Sequence, residues 1–341
     1  MITMEDVARA AGVSRKTVYN VLNNKGSMSE EVKARVLKSV KELNYKTSIV
    51  AQSLKTGKTN LIGVVLPDMY HPAYVSILQS IEMIARKKGY NIIACNYDYK
   101  VKLEDYYFDM LYKRNVDGII YQPFILDNID YDYRTNVLKA IDMGFPIVVI
   151  GENIFDDTFS VVCLDTEKVM DDTFKYYFSK GFKMPCFIFT EYYESLDYKT
   201  LRPYKYNQPR VYWYYKLCEK YNIKPQVCIH SNINNIYVKD IEEFLKRDTF
   251  DCIICETDYI AITLYQYYRN IGKKPLPLLG FDNAEYAIIF NPSITSYSPN
   301  YSLMAKKSVD ILLDEIKGKV KEPINETVEF SFYPRESTEN F

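Results

Sequence analysis

Histidine is nearly absent from this chain, with two in 341 residues. So few imidazoles leave general acid–base or metal chemistry needing an unusual design. No Gly-rich phosphate loop, no cluster at metal-ligand spacing and no nucleophile elbow appears. No catalytic residue, cofactor or metal is therefore expected. No run of 18 apolar residues occurs, so no membrane span is expected. The first 30 residues lack the continuous apolar core of a secretion signal, and the expected location is the cytoplasm. Seven cysteines, odd in number and scattered, fit reduced thiols there. Cys252-x-x-Cys255 has redox or metal spacing, but it sits inside an apolar run with no second pair, which favours core packing.

What the chain does have is concentrated at its start. Thr3 is placed to cap a first helix, with Asp6 as the capping-box acid. Met4, Val7, Ala8 and Ala11 recur at helical spacing as its buried stripe. Gly12 follows where a left-handed helix end favours glycine. Ser14 caps a second helix running to about Leu22, with Val18, Val21 and Leu22 facing inward. Arg15, Lys16, Thr17, Tyr19 and Asn20 are left outside. Two short helices around a glycine turn form the pattern of a DNA-reading helix-turn-helix. Arg and Lys near the start of a recognition helix suit guanine O6 and N7. Asn suits adenine N6 and N7. The hydroxyls of Thr17 and Tyr19 suit phosphates. A third helix begins at Ser29, with Val32, Val36, Leu37, Val40 and Leu43 as its stripe and Asn44 near its end.

Charge agrees with this pattern. Residues 1–58 carry eleven basic and five acidic side chains, a net +6, whereas the whole chain is −1, leaving −7 for the rest. A basic head on an acidic body is the asymmetry of a nucleic-acid binder.

From residue 60 onward, apolar runs alternate with helical patterns. Strands are expected at Leu61–Leu66, Asn91–Cys95, Gly118–Tyr121, Pro146–Ile150, Val161–Leu164, Cys186–Phe189, Val227–Ile229, Cys252–Cys255 and Leu278–Gly280. Helices are expected near 73–88, 102–114, 134–143, 166–180, 207–221, 238–247, 258–271 and 301–317. This alternation implies parallel sheets covered on both faces. About 280 residues is too much for one sheet and suits two α/β lobes. Ligands of such sheets bind beyond the carboxyl ends of the strands, which singles out loops starting near Pro67, Tyr97, Gln122, Gly151, Thr190, Glu256 and Phe281.

Asp6-Val7-Ala8, Ala11-Gly12-Val13-Ser14, Thr17-Val18 and Val21-Leu22-Asn23 resemble the N-terminal signature of the LacI/GalR family of bacterial transcriptional regulators. The likeness continues through Ala51-Gln52-Ser53-Leu54, Thr59 to Val65, Pro67-Asp68, Val116 to Ile120, Gly280-Phe281-Asp282-Asn283 and Pro334-Arg335-Glu336-Ser337-Thr338. Tyr19-Asn20 departs from the family's usual Ser-Arg, which leaves the operator sequence open. The resemblance implies an all-α headpiece over 1–46, a hinge over 47–58 and a type I periplasmic-binding-protein-like effector unit over 59–341. Its N-lobe is expected at about 59–160 plus 291–318, and its C-lobe at about 161–290 plus 319–341.

Thr3, Ser14 and Asn23 join the DNA-contacting set, and the resemblance matches Leu54 to the family's minor-groove wedge, with an ordinary linker leucine as the alternative. In the cleft it assigns Arg210, Asp258 and Asp282 to the effector. Phe281 and Thr257 sit beside them, and Tyr70, Tyr74 and Trp213 offer aromatic faces for a sugar. Each has a plain alternative: Asp258 as a helix cap, Asp282 as a turn holder, Arg210 as partner of a surface acid with Arg202 in its stead. His71, in the first cleft loop, is also placed with the effector, with a plain loop role as its alternative. Trp213, Ala73, Thr257 and Ser298 depart from the family's usual residues, so the pocket is expected to be reshaped.

The expected protein is a homodimeric repressor that binds a pseudo-palindromic double-stranded operator under control of a small effector, a carbohydrate. A transport solute-binding protein is the alternative. An enzyme is the third, and no acid–base pair supports it.

Overall fold

The computed structural model describes residues 2–22, 25–45, 57–70, 72–124, 134–152, 154, 156–190, 209–230, 243–246 and 249–341. The chain divides into two compact units, Met1–Thr59 and Asn60–Phe341. Most of the expected hinge, with Leu54, lies outside the described residues, as do Asn23, His71 and Arg202.

In the first unit, α1 is Met4–Ala11, α2 is Arg15–Leu22 and α3 is Glu30–Glu42. A complete capping box starts α1. The Asp6 amide donates to Thr3 Oγ1 at 3.3 Å, and the Thr3 amide donates to Asp6 Oδ2 at 3.0 Å. Gly12 ends the helix at φ +66°, a conformation that a side chain would strain. Ser14 Oγ accepts the Thr17 amide at 3.1 Å, capping α2. Val7, Ala8, Ala11, Val18, Val21 and Val36 form a core of small side chains, which lets three short helices pack closely. One expected core residue is displaced: Leu37 is 53 % exposed. It sits one residue past Val36, a 100° turn away from the core, and Ser39 takes the buried position three residues on.

The second unit holds helices α4 Pro72–Lys87, α5 Val101–Lys113, α6 Arg134–Asp142, α7 Thr166–Ser179, α8 Pro209–Lys220, α9 Asp258–Asn270, α10 Glu285–Ile289, α11 Tyr301–Ile316 and α12 Glu336–Glu339. They cover two six-stranded sheets. The first contains β1 Leu61–Leu66, β2 Asn91–Asn96, β3 Gly118–Tyr121, β4 Ile147–Glu152, β5 Ser160–Leu164 and β11 Asn325–Val328, ordered β11-β5-β4-β3-β1-β2 and parallel throughout. The second contains β6 Pro185–Thr190, β7 Val227–His230, β8 Cys252–Cys255, β9 Leu278–Phe281, β10 Thr295–Pro299 and β12 Phe330–Tyr333. Its order is β12-β10-β9-β8-β6-β7, with only the β12 edge antiparallel.

Each sheet is buried on both faces, which is why its central strands read as unbroken apolar runs. On the first, Ile77, Ile81 and Ala85 of α4 join Met304, Val309 and Leu312 of α11 over one face. Phe108 and Leu111 of α5 and Val137 of α6 cover the other. On the second, α7 and α8 supply Phe174, Tyr177 and Tyr214 to one face, and α9 supplies Ile260, Ala261 and Leu264 to the other. Gly118 shows how close α11 comes. A Cβ there would lie 2.8 Å from Leu312 Cδ1.

The chain crosses between sheets three times, between Leu164 and Thr166, between Pro299 and Tyr301, and between Val328 and Phe330. These crossings correct the lobe boundaries expected above. Val161–Leu164 belongs to the first sheet, with Val161 opposite Val149. Thr295–Pro299 belongs to the second, with Thr295 opposite Leu279. Asn325–Val328 returns to the first, beside β5. The last two segments are short and polar, with no apolar run to mark them. Their sheet membership comes from hydrogen-bond partners more than a dozen residues away in sequence.

All seven cysteines are buried, and no disulfide joins them. Cys252 and Cys255, three residues apart on β8, face opposite sides of the sheet and enter different cores. They cannot act as a pair. Among the described residues no group of metal-binding side chains gathers, and no helix is long and apolar enough to cross a membrane.

Candidate functional site

The carboxyl ends of strands from both sheets face one cavity. The first lobe lines it with Ala73, Tyr74 and Ile77 of α4, with Tyr99, Gln122 and Phe124, and with Gly151 and Glu152 at the end of β4. The second lobe adds Pro209 and Arg210 at the start of α8, Glu256 and Thr257 after β8, and Asp282 after β9. Tyr301 and Met304 of α11 close one side.

Arg210 sits at the centre. Its Nη2 donates to Glu152 Oε1 at 2.6 Å and its Nη1 to the Glu256 carbonyl at 2.8 Å. The guanidinium lies 4.6 Å from the Phe281 ring centroid, a cation–π seat. Its Nε is buried, without a partner among the described residues. Burial works against the charge of Arg210, but Glu152, Asp282 and Glu256 outweigh it and hold the group above its ordinary pKa. Glu152 reaches across the cleft twice, since its Oε2 also accepts the Thr166 hydroxyl at 3.2 Å.

Asp282 ends β9 at φ +102°, a strained conformation for a residue with a side chain. Several bonds fix the turn. The Asp282 amide donates to the Tyr297 carbonyl at 2.8 Å, and the Asn283 amide donates to Ser296 Oγ at 3.0 Å. Arg335 Nη2 donates to Asn283 Oδ1. Burial pushes the Asp282 carboxyl well above its ordinary range, with Arg210 opposing.

The expected effector residues divide accordingly. Tyr74, Arg210, Thr257 and Asp282 line the cavity. Asp258 does not. Fully buried behind β9, it accepts the Ala284 amide at 2.8 Å through Oδ2 and leaves Oδ1 unpartnered. The helix cap is Thr257, whose Oγ1 accepts the Ile260 amide at 3.3 Å, so Asp258 is neither ligand contact nor cap but the pin of the β9–α10 turn. Burial raises its carboxyl to about 7, with the Ala284 amide and the Arg335 charge opposing. Phe281 is buried beneath Arg210 and stacks on Tyr297 at 5.6 Å. Trp213, one helical turn beyond Arg210, packs edge-on to Tyr212 with its indole N–H buried and unpartnered, outside the cavity lining. Tyr70 is 90 % exposed and also outside it.

Glu152, Tyr99, Phe124 and Tyr301 were not named from sequence, and Gln122 and Glu256 were named only as starts of strand-end loops. The strand-end rule had marked the loops of Gln122, Gly151 and Glu256. It gave no reason to select Glu152 beside Gly151, and nothing marked Tyr301.

On the headpiece, Ser14, Arg15 and Lys16 are exposed, while Thr17, Tyr19 and Asn20 are half-buried along the same helix. Ser14 and Thr17 hydroxyls lie 2.9 Å apart, and Lys25 Nζ sits 5.8 Å from the Tyr19 ring. Thr3 is exposed, but its hydroxyl is bonded to Asp6 Oδ2 at 2.7 Å, which makes it a cap first.

Residues 3–48 match bacterial regulatory proteins of the lacI family, and residues 175–338 match a periplasmic binding protein-like domain. The HTH-type transcriptional regulator RegA of Clostridium saccharobutylicum is 31 % identical, over 98 % of this chain and 99 % of its own. The chain belongs to the lacI family. The HTH-type transcriptional repressor PurR of Aliivibrio salmonicida is 25 % identical over 94 % of this chain and 93 % of its own. A crystal structure of the Lac repressor dimer bound to operator and the anti-inducer ONPF superposes with a TM-score of 0.81 at 19 % identity, covering 99 % of each chain. Its agreement is one of fold. The named relatives of this family member are transcriptional regulators, not enzymes.

Proposed function

We propose that the protein is a transcriptional repressor whose operator affinity responds to a small hydroxylated effector, a carbohydrate, held between the two lobes. The observation that carries this is the coexistence in one chain of a capped helix-turn-helix bearing Arg15, Lys16 and Asn20 and a two-lobed unit with a polar, aromatic cleft around Arg210. Arg15, Lys16, Thr17, Tyr19 and Asn20 meet bases and phosphates, and Ser14 and Thr3 hold the helices that present them. Asn23 and the Leu54 wedge complete the DNA contact.

Tyr74, Arg210, Thr257 and Asp282 bind the effector, together with Glu152, Gln122 and Tyr301. Helix-turn-helix readers of palindromic sites act as two-fold dimers, so the protein works as a homodimer in the cytoplasm without catalysis. The Lac repressor is seen as a dimer on operator, and a family regulator from Enterococcus faecium is seen with bound ribose. Both support the reading. A solute-binding role would leave the basic headpiece without use.

Gel shifts on palindromes from the protein's own promoter region test it, at low salt and with a carbohydrate panel. A shift that one sugar reverses or strengthens is expected. Binding of sugars with no shift on any such palindrome would instead favour the solute-binding protein.

A further inference from the structure

The cavity that we read as the effector site has an uneven charge. Its described lining residues carry one guanidinium, Arg210, and three carboxyl groups, Glu152, Glu256 and Asp282, of which burial favours the neutral form of Asp282. The guanidinium is already matched, because Glu152 takes Nη2 at 2.6 Å and both side chains are mostly buried, 13 % and 22 % exposed. An entering phosphate or carboxylate has two choices. It can displace Glu152, stranding that mostly buried carboxylate, or it can sit unpaired among the lining acids. Both are costly where water is scarce.

Neutral hydroxyls meet no such obstacle. They donate to carboxylate oxygens, which only accept. Tyr74 and Tyr301 offer apolar ring faces beside these groups.

We propose that the effector is an uncharged polyhydroxylated molecule, and that Glu152 is the specificity-determining residue that rejects its phosphorylated and carboxylated analogues by occupying Arg210. This rests on the cleft being the effector site. It adds a rule of charge that a fold likeness does not supply.

The test uses calorimetry and thermal shift on the full chain, with ribose and ribose 5-phosphate, glucose and glucose 6-phosphate, gluconate and inorganic phosphate as probes. In the wild type, each phosphorylated probe and gluconate should bind more weakly than its neutral counterpart, or not at all. Glu152→Gln keeps an acceptor for Thr166 but frees the guanidinium, and should gain at least about tenfold in affinity for inorganic phosphate or a sugar phosphate. Adding Arg210→Gln should abolish that gain. Glu152→Asp, one methylene shorter, should show a smaller gain and serves if the first variant folds poorly.

Asp282→Asn leaves the Glu152–Arg210 pair intact and should gain little. A wild type that prefers any phosphorylated probe to its neutral counterpart overturns the proposal. So does a folded Glu152→Gln or Glu152→Asp with unchanged phosphate affinity. Operator gel shifts on the same preparations keep the two readings apart. If the charge rule holds but no operator is bound, the regulator reading fails and this one stands.

Discussion

Replacing Asp258 by asparagine should change how stability depends on pH. The carboxyl is buried, accepts one amide from Ala284, and is raised from its ordinary 3.8 to about 7, chiefly by burial. Between those values the folded protein keeps the proton and the unfolded chain has lost it. Stability contributed by this group is therefore complete below pH 4 and is lost as pH rises through 7. The slope is about 1.4 kcal/mol per pH unit, or roughly 2–3 kcal/mol between pH 5 and 7. For a unit of this size that corresponds to roughly 5 °C in melting temperature. An asparagine oxygen still accepts the Ala284 amide and carries no titrating proton. Thermal melts of both proteins at pH 5, 6 and 7 give the answer. The variant should gain on the wild type by roughly 5 °C across that range. A difference in melting temperature that stays constant with pH would show that Asp258 is not the titrating group and that its buried geometry is misjudged.

Three further outcomes are expected. Asn20→Ala or Arg15→Ala should lose roughly 1–3 kcal/mol at particular operator base pairs, seen by competition with single-base variants of the site, whereas uniform weakening across all sequences would refute base reading. Asp282→Ala should abolish the response to the sugar that controls the wild type while operator affinity persists, and a retained calorimetric signal for that sugar would count against this cavity. Gly118→Ala places a methyl 2.8 Å from Leu312 Cδ1 and should cost about 1–3 kcal/mol in urea unfolding, since α11 must move off β3; an unchanged midpoint would mean α11 is loosely seated.

Local chemistry was the part of the molecule most open to reading. Thr3, Gly12 and Ser14 mark the headpiece turns because capping and left-handed backbone depend on the residue itself. Central strands such as Leu61–Leu66 and Cys252–Cys255 show as apolar runs because both their faces are buried. The polar late strands β10, β11 and β12 escaped notice. Asn325–Val328 is partly exposed and polar, and it pairs with β5 across more than 160 residues of sequence. The cleft was half legible. Arg210 and Asp282 could be named, but their relation to Glu152 is a contact between lobes that no local pattern contains. Asp258 misled because a carboxylate after a strand looks the same whether it faces a cavity or pins a turn.

The interleaving of the two sheets constrains how the molecule comes into being. The first lobe obtains Met304, Val309 and Leu312 only when α11 has been made, after β6 to β10 of the second lobe. Until then one face of β1, β3 and β4 lacks part of its cover, and β5 lacks its β11 neighbour until Val328. The headpiece carries its own core and is free of this delay. On the ribosome the nascent chain thus holds a sticky, unfinished sheet through most of its synthesis, a window in which aggregation or chaperone capture competes with completion. Any early stop before Ile316 leaves both lobes unfinished rather than one whole and one missing.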